Sequence, residues 1–174
     1  MPSKSLPIRP TVAAIAAGAL ILVPAVDAAK SKPPQKAGAT YTGFTSQGKT
    51  NCRSKGQNDK PCTVSVKVSG DGTRVAKAQI YFFAKCDNDL VFRSSTVFKN
   101  PRIKKGKFTV NANYPENLGD GSSADNSVIT HGTFRRKRHR YTVVGDYKIS
   151  SDLQLSDGST THCQTPKVTF KAKP

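Results

Sequence analysis

The chain has 174 residues, 36% of them hydrophobic, with no Trp and a formal net charge of +17. This is one domain's length of chain with a thin core, too apolar for a disordered segment, and its charge directs it toward anionic partners. It has a single Glu, Glu116, and half of its Asp residues sit in turn chemistry (Asp71-Gly72, Asp87-Asn88-Asp89, Asp120-Gly121, Asp157-Gly158). Helical proteins spread Glu along solvated faces, so this usage speaks for an all-β chain.

The first 28 residues read as a signal peptide. Lys4 and Arg9 charge the N-terminus, Thr11 to Val23 is uncharged and apolar, Pro24 breaks the run, and Val26-Asp27-Ala28 offers small residues at the cleavage positions. The run is shorter than the roughly 20 residues a membrane-spanning helix needs. Cleavage after Ala28 is the expectation, with a secreted, extracellular or cell-envelope location and no transmembrane segment in the mature form. It would remove Lys4, Arg9 and Asp27 and lower the net charge by one. Residues 29–39 (AKSKPPQKAGA) then form a basic, Pro-rich tether, flexible or extended, and the all-β domain occupies residues 40–174.

Four cysteines follow: Cys52, Cys62, Cys86 and Cys163. Export and an even count favour disulfides. Three pairings are possible; Cys52–Cys62, which would staple a polar loop, and Cys86–Cys163, which would join a mid-chain strand to the last strand region, are favoured. A zinc site is disfavoured because structural zinc cysteines come in close pairs such as C-x2-C.

Period-two alternation recurs along the mature chain. Tyr41–Thr45 opens it, and Val64, Val66 and Val68 define one apolar face. In the segment Arg74–Lys85, Ile80, Phe82 and Ala84 face one way and Tyr81 and Phe83 the other; Cys86 falls in register with the Ile80 face. Leu90–Phe98 and Ile103–Val110 are further strands, and Pro115–Asn126 reads as a long polar loop. Ser127–Phe134 and Tyr141–Ile149 are expected to be the two arms of a hairpin, and Val168, Phe170 and Ala172 mark the last strand. About eight short strands at this spacing predict a single small β-sandwich, with barrel-like closure as the alternative.

Tyr41-Thr-Gly-Phe-Thr-Ser-Gln-Gly48 resembles the aromatic-x-Gly-x-Thr-Ser-Gln-Gly opening of a group of uncharacterised small secreted β-proteins of actinobacteria. The strand ending in Cys86, the Ile103-x-x-Gly-x-Phe108 segment and the Cys163 that precedes the last strand match the same group. The resemblance implies export and the Cys86–Cys163 pairing. The Cys52/Cys62 loop departs from the group's pattern, and no activity comes with the likeness. By local chemistry Thr45-Ser46-Gln47-Gly48 is a tight turn.

The sharpest chemical feature is Arg135-Arg136-Lys137-Arg138-His139-Arg140. Placed at a hairpin tip, Arg135, Arg136, Lys137, Arg138 and Arg140 are candidate polyanion-binding residues, flanked by Phe134 and Tyr141 as stacking or interfacial groups. The competing role of such a run is a solvated turn that blocks edge pairing. Anionic envelope polymers or lipid headgroups are the expected partners; an exported protein is not expected to meet nucleic acid. The three His residues (His131, His139, His162) stand in separate segments with no hydrolase frame, and the Asp pairs Asp87/Asp89 and Asp120/Asp125 lack the EF-hand frame for calcium. The expectation is therefore a non-enzymatic exported module without catalytic residues, metal or cofactor. A freely secreted structural or protein-interaction domain is the alternative, and a secreted hydrolase, through His131 meeting a Ser and an Asp, a lesser one.

Overall fold

The computed structural model describes residues 32–48, 52 and 61–174. The expected signal peptide, the start of the tether and most of the Cys52/Cys62 loop lie outside the described residues. Nine strands, and among the described residues no helix, make up the fold. They are β1 Thr40–Thr45, β2 Thr63–Val68, β3 Val75–Cys86, β4 Val91–Phe98, β5 Lys107–Asn117, β6 Ser123–Lys137, β7 Arg140–Gln154, β8 Thr160–Gln164 and β9 Val168–Lys173. Every pairing is antiparallel.

The main sheet runs β4-β3-β2-β1-β9-β7-β6-β5, and β8 bridges β3 and β7. Following the ladders around gives a closed ring, β1-β2-β3-β8-β7-β9, so six strands form a barrel. The alternation pattern had left this closure open beside a sandwich. Closure removes the exposed edges that an open sheet would present over this part of the fold. The seam is short: β3 meets β8 only at Lys85↔Gln164 and Cys86↔Cys163, and the second of these pairs is a disulfide. The other bridge, Cys52–Cys62, closes the local loop. With no free cysteine, the zinc alternative falls.

The barrel interior comes from the alternating residues. Val64, Val66 and Val68 of β2, Ala78, Ile80, Phe82 and Ala84 of β3, and Val168, Phe170 and Ala172 of β9 are all buried. β-Branched and aromatic side chains fit a half-buried pleated surface, and each fully buried Val, Ile or Phe contributes about 1.5–3 kcal/mol. The same inner face continues on β6 and β7, where Val128, Phe134, Tyr147 and Ile149 are buried. Glycines Gly132 and Gly145 stand opposite each other there. A Cβ at Gly132 would strike the Phe108 ring, and one at Gly145 the Phe170 ring and the His131 carbonyl. Each aromatic ring therefore covers a bare stretch of strand.

The free edges β4 and β5 face each other without backbone pairing and are joined by side chains. The Thr96 and Tyr114 hydroxyls lie 2.8 Å apart, and Ser94 donates to Glu116 at 3.4 Å. Glu116 also accepts from Asn126 at 3.2 Å, and Asn126 from Ser151 at 2.5 Å. The sole Glu is thus a half-buried clasp between layers, not an isolated loop residue.

Several sequence expectations need correction. Pro115–Asn126 is not one loop: β5 runs to Asn117 and β6 begins at Ser123. Its residues lack hydrophobic alternation because Asn111, Asn113, Pro115 and Asn117 face solvent while polar Glu116 and Asn126 take inward positions. The β6–β7 arms are much longer than Ser127–Phe134 and Tyr141–Ile149. The short strand β8 was not anticipated, since Thr160–Gln164 carries almost no apolar signal.

Thr45–Gly48 is the expected turn, with Gly48 N–H donating to the Thr45 carbonyl at 3.1 Å. It also delivers Gln47 into the interior, where its amide donates to the Phe83 carbonyl at 2.6 Å and its oxygen accepts from Tyr147 at 3.0 Å. Part of the tether segment lies on the barrel. Gln35 donates to the Gly72 carbonyl at 2.8 Å, and the Lys36 N–H donates to the Tyr41 hydroxyl at 2.8 Å.

Candidate functional site

The β6–β7 hairpin pairs without interruption from Ser123↔Gln154 to Lys137↔Arg140. At about 3.3 Å per residue it is roughly 45 Å long. Only Arg138 and His139 form the turn, so Arg135, Arg136, Lys137 and Arg140 are strand residues, not loop residues. Strand placement fixes where each points. Arg135 and Lys137 alternate to the outer face; Arg136 takes the other face, where its guanidinium lies 5.4 Å from the centre of the Tyr141 ring. Cation–π stacking of this kind orients an arginine without neutralising it.

Arg138 has φ 56°, in the left-handed region. A two-residue hairpin turn normally gives such a position to Gly or Asn. An arginine held there sets a charge at the tip of the hairpin against its backbone preference.

Phe134 is not an interfacial group. It is buried, with its ring centre 5.3 Å from that of Tyr41 and 5.8 Å from that of Phe108. Tyr141 remains half-buried at the site.

The outer faces of Arg135, Lys137 and Arg140 border a groove of about 710 Å³. Its other walls bring in cations that sequence order conceals: Lys36 from the segment before β1, and Lys171 and Lys173 from β9, which lies beside β7 through Val143↔Ala172 and Val144↔Lys171. Tyr141, Thr142, Val144 and Pro174 complete the lining, His139 contributes at the tip, and among the described residues no Asp or Glu side chain lines it. In the sequence only the alternation that sets Lys167, Thr169 and Lys171 on the outer face of the last strand hints at the β9 contribution.

The opposite end of the hairpin has the reverse character. A cleft of about 700 Å³ there is lined by Asp87, Asp125 and Asp152 together with His162. Asp120 and Asp157 occupy neighbouring turns, where hydrogen bonds from Ser122 and Ser159 hold each carboxyl below the usual range. No group of three or more His, Cys, Asp or Glu among the described residues is placed to hold a metal ion. The molecule is therefore electrically polar along the hairpin, cationic at the tip and acidic at the far end.

Histidines resolve into three settings. His139 sits at the tip. His131 meets Asp146 at 3.1 Å, and Lys167 approaches the same carboxylate at 3.7 Å; no Ser hydroxyl bonds to His131. His162 is the one that meets both partners, with Nδ1 2.6 Å from Asp152 and Nε2 3.2 Å from the Ser150 hydroxyl.

The chain matches no family model, no curated protein and no solved structure. Fold and site together define a small, disulfide-closed β-barrel with one cationic end.

Proposed function

We propose that this protein is an exported module retained on anionic polymers or lipid headgroups of the cell envelope by the cationic end of its β6–β7 hairpin. The observation that carries this reading is the groove in which six cations, Lys36, Arg135, Lys137, Arg140, Lys171 and Lys173, converge with no Asp or Glu side chain among its described lining residues. Like charges gathered this way repel one another, so a bound polyanion both gains attraction and relieves repulsion. In bulk water each contact at 4 Å is worth only about 1 kcal/mol. A lone anion would therefore bind weakly, whereas a repeating polyanion engages several cations at once. Two arginines at the groove and one at the tip suit phosphate or carboxylate oxygens through paired N–H donors. The two disulfides suit an oxidising compartment. Charge then holds the module on the envelope.

The test is co-sedimentation of mature protein with isolated cell envelopes at low and high salt. A variant with Arg135, Arg136, Arg138 and Arg140 changed to Ser runs beside it. Binding at low salt, release at high salt and loss in the variant are expected. Wild type that stays in solution at low salt sinks the proposal. Binding that survives high salt and the four substitutions also sinks it, and points to recognition of a protein partner through other loops.

A further inference from the structure

We infer that Ser150, His162 and Asp152 form a nucleophilic site for hydrolysis of carboxylic esters, at the end of the hairpin away from the cationic tip. This inference is independent of envelope binding. Ser150 and Asp152 are two residues apart on the outer face of β7, and β8 sets His162 directly opposite Asp152. The ring lies between them: Asp152 Oδ1 is 2.6 Å from Nδ1, and Ser150 Oγ is 3.2 Å from Nε2. A carboxylate only accepts, so in the neutral ring Nδ1 carries the proton and Nε2 is left to accept from the Ser150 hydroxyl. That order, carboxylate to Nδ1 and Nε2 to hydroxyl, is what a serine nucleophile requires of its base and its orienting group.

The frame is rigid. Both strands are paired through this region, and the residue next to His162 is Cys163, bonded to Cys86. His131 and Asp146 repeat the Asp–His half of the arrangement on β6 and β7 without a Ser partner, and so provide an internal control.

The surroundings name the substrate. His162 and Asp152 line the acidic cleft at this end of the hairpin; a second cleft of about 580 Å³, with Phe83, Lys85, Lys148 and Gln164 in its lining, lies on the Ser150 side, reached through Gln164. Gln164 is the ladder partner of Ser150, and Lys148 precedes Ser150 by two residues on the same face. Directly opposed residues have Cβ atoms about 5 Å apart, which makes the Gln164 amide a candidate donor to a developing oxyanion, with Lys148 two residues along β7 on the same face. Phe83 offers an apolar surface to an acyl chain, and Lys85 and Lys148 stand on that side while Asp87, Asp125 and Asp152 stand on the His162 side, so a negatively charged acyl group is directed to the lysine side.

In the reaction the Ser150 oxygen bonds to the ester carbonyl carbon while its proton passes to His162 Nε2. The carbon–alkoxy bond breaks, that proton goes to the leaving oxygen, and the alcohol departs. Water, deprotonated by Nε2, then attacks the acyl-serine; the proton returns to Ser150 and a carboxylic acid is released. Asp152 is 78% exposed, so water screens its charge. Its part is to fix the tautomer and the ring's rotation, and Asp152→Asn should slow the reaction by less than His162→Ala.

The experiment uses the full exported chain with both disulfides formed. It is exposed to a fluorophosphonate serine probe and to p-nitrophenyl esters with neutral and succinyl acyl groups. Expected results are one label per chain mapping to Ser150, loss of label and turnover in Ser150→Ala, a fall of about a hundredfold or more in His162→Ala, no change in His131→Ala, and preference for the succinyl ester. Ser150→Ala should keep the wild-type melting temperature, which separates lost chemistry from lost fold. An unlabelled wild type, beside a serine hydrolase that labels under the same conditions, overturns the inference and leaves the three residues a cross-strand hydrogen-bond ladder. Labelling that persists in Ser150→Ala overturns it equally.

Discussion

Replacing both members of a disulfide with Ala tests how the barrel is closed. Sequence separation is 10 for Cys52–Cys62 and 77 for Cys86–Cys163. Taking those separations as loop lengths, the chain-entropy relation gives losses of about 2.7 and about 4.5 kcal/mol at 25 °C. For a domain of roughly 140 residues the entropy of unfolding is roughly 0.3 kcal/mol per degree, so the melting temperature should fall by about 9 °C and about 15 °C respectively. The larger figure belongs to the seam. Without the Cys86–Cys163 bond only two residue pairs tie β3 to β8, and β8 also carries His162. Guanidinium titration followed by far-ultraviolet circular dichroism reads the loss, and the fluorophosphonate probe reads the site. Two outcomes refute the reasoning: equal losses from the two bridges, or a larger loss from the local one.

Two further predictions concern the tip and the core. Arg138→Gly relieves the left-handed backbone at φ 56°, so it should raise stability by about 1 kcal/mol while weakening adhesion to envelopes; thermal melts and co-sedimentation of the same sample check both signs. Burial raises the pKa of Tyr41, Tyr114 and Tyr147, most of all Tyr147. A raised pKa means the unfolded chain releases protons first, so stability is intact below about pH 10 and falls as pH rises beyond it. Tyr147→Phe should flatten that alkaline decline, as measured by melts across the range.

Much of this protein was legible in its sequence because the signals are local. Alternation in Thr63–Val68 and Val75–Cys86 announces strands with one buried face, because a period of two maps directly onto the two sides of a sheet. The near absence of Glu and the Asp-Gly turns excluded helices for equally local reasons. Cysteine count and spacing led to the two bridges, and the Arg135–Arg140 run located the cationic end.

What tertiary structure alone decided depends on contacts between distant segments. Closure into a barrel rests on two pairs between β3 and β8, and β8 is polar enough to escape notice. Phe134 reads as a tip residue until Tyr41 and Phe108 are brought against it. Glu116 reads as a loop carboxylate until Ser94 and Asn126 meet it. The groove exists because β9 returns beside β7 and adds Lys171 and Lys173 to a charge run some thirty residues earlier. Ser150 and Asp152 likewise gain their histidine only when β8 lays His162 between them. Period-two patterning tells each residue which face it occupies, but strand order decides which residues share that face, and strand order is set by the packing of the whole chain.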